Sequence, residues 1–157
     1  MCKPIGISSC LLGIKCRFDG GDCEIPGIHK STVNWIPVCP EEAGGLPTPR
    51  IPSELTNPAE IILERNSGVI NSSGEDVSHY FIQGAKAALS DVTSAGCEKV
   101  ILKSYSPSCG YGEIYDGHFT GKLKRRDGIF AHLCVAAGLK VISSDHVESV
   151  KSLEILL

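Results

Sequence analysis

Apolar residues recur along this chain in two rhythms. Short runs bounded by proline, glycine or polar turns have the length of buried strands: Ile5-Gly6-Ile7-Ser8-Ser9, Asn34-Trp35-Ile36-Pro37-Val38, Val100-Ile101-Leu102 and Leu139-Lys140-Val141-Ile142. Pro37 has no backbone donor, which confines the second run to an edge or a strand end. Helical spacing fills the intervals. Val77, Tyr80, Phe81, Ala85, Ala88, Val92 and Ala95 fall on one helix face, with Ser73 as N-cap, Asp76 three residues on and Gly96 as the stop. A second helix is expected from Asp127 as N-cap, burying Ile129, Phe130, Leu133, Cys134 and Ala137 before Gly138. A third is expected from Asp145 with Glu148, turning Val147, Val150, Leu153 and Leu157 inward. Ile61-Ile62-Leu63 and Val69-Ile70 predict a small hairpin about Asn66-Ser67-Gly68, and Glu113 to Gly117 an isolated turn.

Strands alternating with amphipathic helices predict an α/β fold, a three-layer sandwich around a mainly parallel sheet of Rossmann-like type. The chain's 157 residues suit one domain over 1–157 with a real core. In open parallel sheets, ligands bind beyond the carboxyl ends of the strands. The segments leaving each strand are therefore where chemistry is expected. The one after the third run, Lys103 to Gly117, is a polar loop punctuated by Pro107, Gly110, Gly112 and Gly117, with a single thiol at Cys109.

Charge narrows the functional classes. A formal net charge of -3 argues against broad electrostatic binding to DNA, which needs a basic face. The one basic cluster, Lys122 to Arg126, is short and reads as a solvated face or an anion contact. No apolar run is long enough to predict a transmembrane helix, and Met1 to Gly6 lacks the apolar stretch of a secretory signal, so a cytoplasmic protein is expected. In that setting eight cysteines point to metal or catalytic use rather than disulfides.

The cysteines sort by their place relative to the strands. Cys10 follows the first strand, Cys39 the second, and Cys109 lies in the loop leaving the third. A parallel sheet brings all three to one edge. Cys97 precedes a strand and is expected at the opposite edge, Cys134 on a helix face in the core, and Cys2 near the terminus without a role. Cys16 and Cys23 lie on the same side as Cys10, and either is a candidate fourth ligand. Soft thiolates select zinc, copper(I) or iron–sulfur clusters. Three ligands leave an open coordination position, and the absence of histidine near these thiols leans towards a cluster.

Acids and hydroxyls accompany the thiols. Glu41 and Glu42 follow Cys39, Asp19 lies in Arg17-Phe18-Asp19-Gly20, and Ser106 and Ser108 flank Pro107 beside Cys109. A carboxylate here is a candidate general base. Arg50 is a candidate to hold an anionic or carbonyl group, or to pair with an acid. His118 is the histidine nearest the loop in sequence.

Three blocks in one order carry a resemblance: Ser9-Cys10-Leu11-Leu12-Gly13 with Arg17-Phe18-Asp19-Gly20-Gly21; Cys39-Pro40-Glu41 with Gly44-Gly45-Leu46-Pro47-Thr48-Pro49-Arg50; and Ser106-Pro107-Ser108-Cys109-Gly110 with Tyr115-Asp116-Gly117. Together they resemble the thiouracil desulfurase-like family, over nearly the whole chain. Phe18 departs from the pattern, where tyrosine is expected. The resemblance implies a [4Fe–4S] cluster held by Cys10, Cys39 and Cys109, with one iron free to take the thiocarbonyl sulfur of a thionucleobase or thionucleoside such as 2-thiouracil or 4-thiouracil. It implies a redox-neutral hydrolysis with Glu41 as base, Asp19 as a second acid, and Ser106 and Ser108 orienting the substrate. Two other readings stand beside it. One is a cysteine hydrolase using Cys39 or Cys109 with His118 as base. The other is a zinc-thiolate binding module closed by four thiolates.

Overall fold

The computed structural model describes residues 3–157, so Cys2 lies outside the described residues. In chain order the elements are β1 (Ile5–Ser8), β2 (Trp35–Val38), α1 (Pro40–Ala43), β3 (Ser53–Leu55), α2 (Ala59–Arg65), β4 (Val69–Asn71), α3 (Ser78–Ser94), β5 (Lys99–Leu102), β6 (Ile114–Tyr115), β7 (Leu123–Lys124), α4 (Ile129–Ala136), β8 (Lys140–Ser143) and α5 (Val150–Leu156). Short 3-10 turns lie at Ser9–Leu12, Ile28–Lys30 and Ser144–His146. No helix among the described residues is long and apolar enough to cross a membrane.

The four expected strands form one sheet in the order β2-β1-β5-β8, every pair parallel. Pro37 therefore sits on an edge strand, where its missing donor costs nothing. The chain leaves β1 for β2 on one side and returns to β5 on the other, which makes the β1/β5 boundary the switch point of the sheet. Side chains alternate about the pleat. Val100 and Leu102 pack with Phe81, Ala85, Ala88, Val92 and Phe130 of α3 and α4, while Ile101 joins Ile5, Ile7 and Ile142 beneath Leu11, Ile25, Ile28 and Leu153. Both faces are covered, so β5 reads as an unbroken apolar run. The helices α3 and α4 make one outer layer, and the 11–28 segment with α5 the other.

Several boundaries differ from the expectations, each for a local reason. Residues 61–63 belong to α2, closed by Asn66 in the left-handed conformation, and β4 pairs instead with β3. A run of three apolar residues satisfies a helix turn as well as a strand, and only the partner decided. The start of α3 lies past Ser73. Asp76 Oδ1 accepts the Ser78 amide at 2.9 Å, while the Ser73 amide donates to Asn71 Oδ1. Tyr80 and Ala95 face outward rather than into the core. Asp127 precedes α4 but accepts the Gly112 amide at 2.7 Å, and Gly128 holds the cap position. The last helix begins at Val150 with a capping box between Ser149 and Ser152, not at Asp145. Ile114 and Tyr115 form a strand paired with β7 rather than an isolated turn.

One helix contact bears directly on the site. The short helix α1 lies against α3 at backbone distance: a Cβ on Gly84 would fall 1.7 Å from the Pro40 carbonyl oxygen, and one on Gly44 1.9 Å from that of Tyr80. Neither neighbour is a flexible side-chain end, so the backbone itself must shift. Gly84→Ala is expected to destabilise the protein by at least about 2 kcal/mol, read as a lower urea midpoint at unchanged slope. It should also lower activity, because α1 carries Glu41.

Candidate active site

Beyond the carboxyl ends of β1, β2 and β5 lies a cavity of about 500 Å3. Cys10 enters it from the 3-10 turn after β1, Cys39 from the junction of β2 and α1, and Cys109 from the loop after β5. Cys10 and Cys109 are buried at 6% and 5% exposure. The sheet thus brings together the three thiols that stand 29 and 70 residues apart in sequence. Cys16 joins them: it is buried, lines the cavity, and its carbonyl oxygen lies 3.9 Å from Cys39 Sγ. Cys23 does not line the cavity and takes the Arg17 Nη1 donor at 2.6 Å. Cys97 lies by the opposite end of the sheet, and Cys134 is a fully buried core residue whose thiol burial pushes up to about 12. No disulfide joins the described cysteines.

Crowding governs the thiols. Cys16 is pushed up to about 12 by its hydrogen bond with Cys10, with burial adding to it. Cys39 is pushed up by Cys16 and then by burial, and Cys109 by burial above all, with the nearby charges of Glu41 and Cys39 adding. Each negative charge here opposes the next. A cationic group bound among them removes that penalty and displaces the thiol protons. Among the described residues, no three His, Cys, Asp or Glu side chains sit close enough to share a single metal ion.

Opposite charge and hydroxyls are organised around one carboxylate. Arg50 Nε and Nη2 both donate to Glu41 Oε2, at 2.7 and 2.6 Å, with the two side chains 6% and 12% exposed. Arg50 is itself fixed by the carbonyl of Cys16 at 2.8 Å and by Thr48 Oγ1 at 2.9 Å. A planar guanidinium fork suits such a multipoint hold. On the other oxygen, Ser108 Oγ donates to Glu41 Oε1 at 2.8 Å, with Ser106 Oγ farther off at 3.5 Å. Ser106 also accepts the amides of Ser108 and Cys109, each at 3.1 Å. Glu41 thus meets both loop serines, and the acid that Arg50 pairs with is a largely buried one in the cavity wall.

The loop is held from behind by α4. The amides of Ile129, Phe130 and Ala131 donate to the carbonyls of Pro107 and Ser108, at 2.8 to 3.0 Å. These are first-turn donors with no partner inside the helix. A Cβ on Gly128 would lie 2.6 Å from the Ser108 carbonyl, so glycine is what lets the helix approach.

Two expected site residues lie elsewhere. Asp19 does not line the cavity; its carboxylate accepts the Gly21 amide at 2.9 Å and faces Arg17 Nε at 3.8 Å, a turn-bracing role. His118 is exposed and no histidine lines the cavity among the described residues, which deprives a hydrolase reading of its base. Residues outside the site segments singled out in the sequence also line it, among them Ser8, Glu54 and Phe119, together with Lys103 and Tyr105 of the polar loop. Ser8 Oγ accepts the Lys103 amide at 2.9 Å and so ties the ends of β1 and β5 together. Nothing in the local sequence marks Ser8, Glu54 or Phe119, because their contacts close across 65 to 95 residues of sequence.

A thiol-lined crevice at the switch point of a parallel α/β sheet, with a buried carboxylate–arginine pair beside it, defines a ligand-binding α/β enzyme of the sulfur-ligand class. The chain belongs to the 2-thiouracil desulfurase family, whose family model matches residues 5–146. It is 37% identical to the uncharacterised protein YbbK of Bacillus subtilis (strain 168) over 147 residues, 92% of this chain and 97% of YbbK. Among solved structures it resembles the [4Fe–4S]-dependent thiouracil desulfidase TudS, with a TM-score of 0.83 and 34% identity over 98% of this chain and 99% of TudS.

Proposed function

We propose that this protein removes the thiocarbonyl sulfur of a thiolated pyrimidine, 2-thiouracil, 4-thiouracil or a related base or nucleoside, by hydrolysis that leaves the substrate's oxidation state unchanged. The observation that carries the reading is the convergence of Cys10, Cys39 and Cys109 on one cavity beside the Ser108–Glu41–Arg50 chain. The donor set is all thiol and crowded, which fits a [4Fe–4S] cluster held by these three cysteines. When bound, the cluster supplies an iron with an open position, a Lewis acid for the thiocarbonyl sulfur.

The chain's own residues supply the rest. Glu41 is the base: it takes a proton from the water that attacks the carbon bearing sulfur, so that a C–O bond forms as the C–S bond breaks. Overall, thiouracil and water give uracil and hydrogen sulfide, with no net electron transfer. Arg50 fixes Oε2 and leaves Oε1 turned to the serines and the cavity. Ser108 and Ser106 orient the ring and the attacking water, their own positions set by the loop's backbone. Asp19 braces its turn and takes no part in proton transfer.

Protein purified without oxygen and reconstituted is expected to be brown, to hold about four irons and four sulfides per chain, and to release sulfide from 2-thiouracil or 4-thiouracil. One zinc per chain without labile sulfide would select the binding module instead. Turnover surviving complete iron removal would select a cysteine hydrolase.

A further inference from the structure

The cavity has an aromatic rim that the chemistry above does not use. Phe18, Tyr105, Tyr115 and Phe119 all line it, and Phe18, Tyr115 and Phe119 are 40%, 39% and 39% exposed. Large rings left this open in a cavity wall are unusual unless something covers them. Three of the four are already engaged. Tyr105 and Tyr115 pack on each other with ring centroids 6.4 Å apart. The Arg17 guanidinium lies over Phe18, 5.8 Å from its centroid. Among the described residues, Phe119 has no ring or cation partner.

Phe119 is also held in an uncommon conformation. Its φ is +55°, in the left-handed region that bulky residues enter only when their surroundings impose it. The imposing group is Glu54 on β3. Glu54 Oε1 accepts the amide of Gly117 at 3.0 Å and that of Phe119 at 3.2 Å, across more than sixty residues of sequence. The β3–β4 pairing anchors that carboxylate in turn. A carboxylate oxygen drawn on by two backbone donors of one loop is committed to the loop, and is poorly placed to act as a second base.

We propose that Phe119 is the stacking face for the planar pyrimidine ring of the substrate, and that Glu54 is the residue that positions it. This rests on the desulfurase reading above and adds the element that reading lacks: a group fixing the plane of the ring, so that its sulfur and its attacked carbon meet the thiol wall and Glu41 together. Stacking is indifferent to which carbon carries sulfur, since every pyrimidine has a π-face. The same residue therefore serves 2-thio and 4-thio substrates.

The test uses the reconstituted holoenzyme, with steady-state kinetics on 2-thiouracil and equilibrium binding of uracil, which lacks the sulfur. Phe119→Ala is expected to raise KM and the uracil Kd by about tenfold or more, with kcat within about threefold of wild type, the pattern of lost uniform binding. Phe119→Trp should restore both. Glu54→Ala should reproduce the KM effect, whereas Glu54→Gln, which keeps an acceptor oxygen, should hold KM near wild type. Unchanged KM and uracil affinity in Phe119→Ala overturns the stacking assignment. A Glu54→Ala effect confined to kcat, or a Glu54→Gln variant as impaired as Glu54→Ala, overturns the positioning role. If wild type fails to turn over thiouracil yet Phe119→Ala still weakens uracil binding, the desulfurase reading fails and the ring-binding assignment stands.

Discussion

Cys109→Ala is expected to give a folded, colourless protein whose desulfurase activity is at the background of the uncatalysed reaction. Cys109 is buried, and it sits in a loop whose carbonyls are tied to α4 and whose amides are tied to Ser106. Such a loop cannot slide another donor into the vacated place. Alanine removes only the sulfur atom, so the fold should survive with a small loss of stability, of the size of a single deleted core group, about 1 kcal/mol. What disappears is one of three ligands, and with it the cluster. The measurement is iron and sulfide per chain after identical anaerobic reconstitution, beside sulfide release from 2-thiouracil. Cys10→Ala and Cys39→Ala should behave alike. Cys97→Ser, at the far end of the sheet, should keep iron content and activity near wild type. A full iron complement in Cys109→Ala would remove this residue from the ligand set and turn attention to Cys16, the remaining thiol in the wall.

Glu41→Gln separates the cluster from the proton transfer. The substitution keeps the shape, with an amide oxygen to accept from Arg50 and an NH2 to donate to the Ser108 hydroxyl, but cannot take a proton from water. A positioned general base contributes roughly 100- to 10,000-fold, so kcat should fall by about that factor while iron content and visible absorbance remain those of wild type. KM should change little, because ring binding is assigned to other groups. The variant should also be less stable, because Arg50, 6% exposed, loses its charged partner. Breaking a buried pair by removing one member costs on the order of 3 kcal/mol, softened here by the amide's remaining hydrogen bond. Urea unfolding of both proteins measures that difference. Glu42→Gln, one residue on and exposed, serves as the control and should retain kcat. Wild-type kcat in Glu41→Gln would exclude this carboxylate as the base.

Arg50 shows how a residue can be read half correctly from sequence. An anionic group or an acid is its expected partner, yet which acid follows from a chain path that closes between Cys16 and Glu41. Asp19 and His118 show the converse. Each stands close in sequence to a site element, and each turns its side chain to its own loop or to solvent. Adjacency along the chain does not fix direction in a loop.

The sequence by itself determined the four parallel strands, because short apolar runs between amphipathic helices have few ways to be buried, and a parallel sheet places all its strand ends on one edge. From that alone Cys10, Cys39 and Cys109 had to converge, and Glu41 and the loop serines had to lie near them. What only the tertiary structure decided depends on long-range closure. The α2 segment became a helix because β4 found its partner in β3, not in residues 61–63. Cys16 entered the thiol wall while Cys23 went to Arg17. Glu54 reached the amide of Phe119 at the cavity rim. Apart from the local Arg17–Cys23 contact, these join segments with no shared period or motif, whose meeting is set by how the layers pack rather than by any local preference of the residues involved.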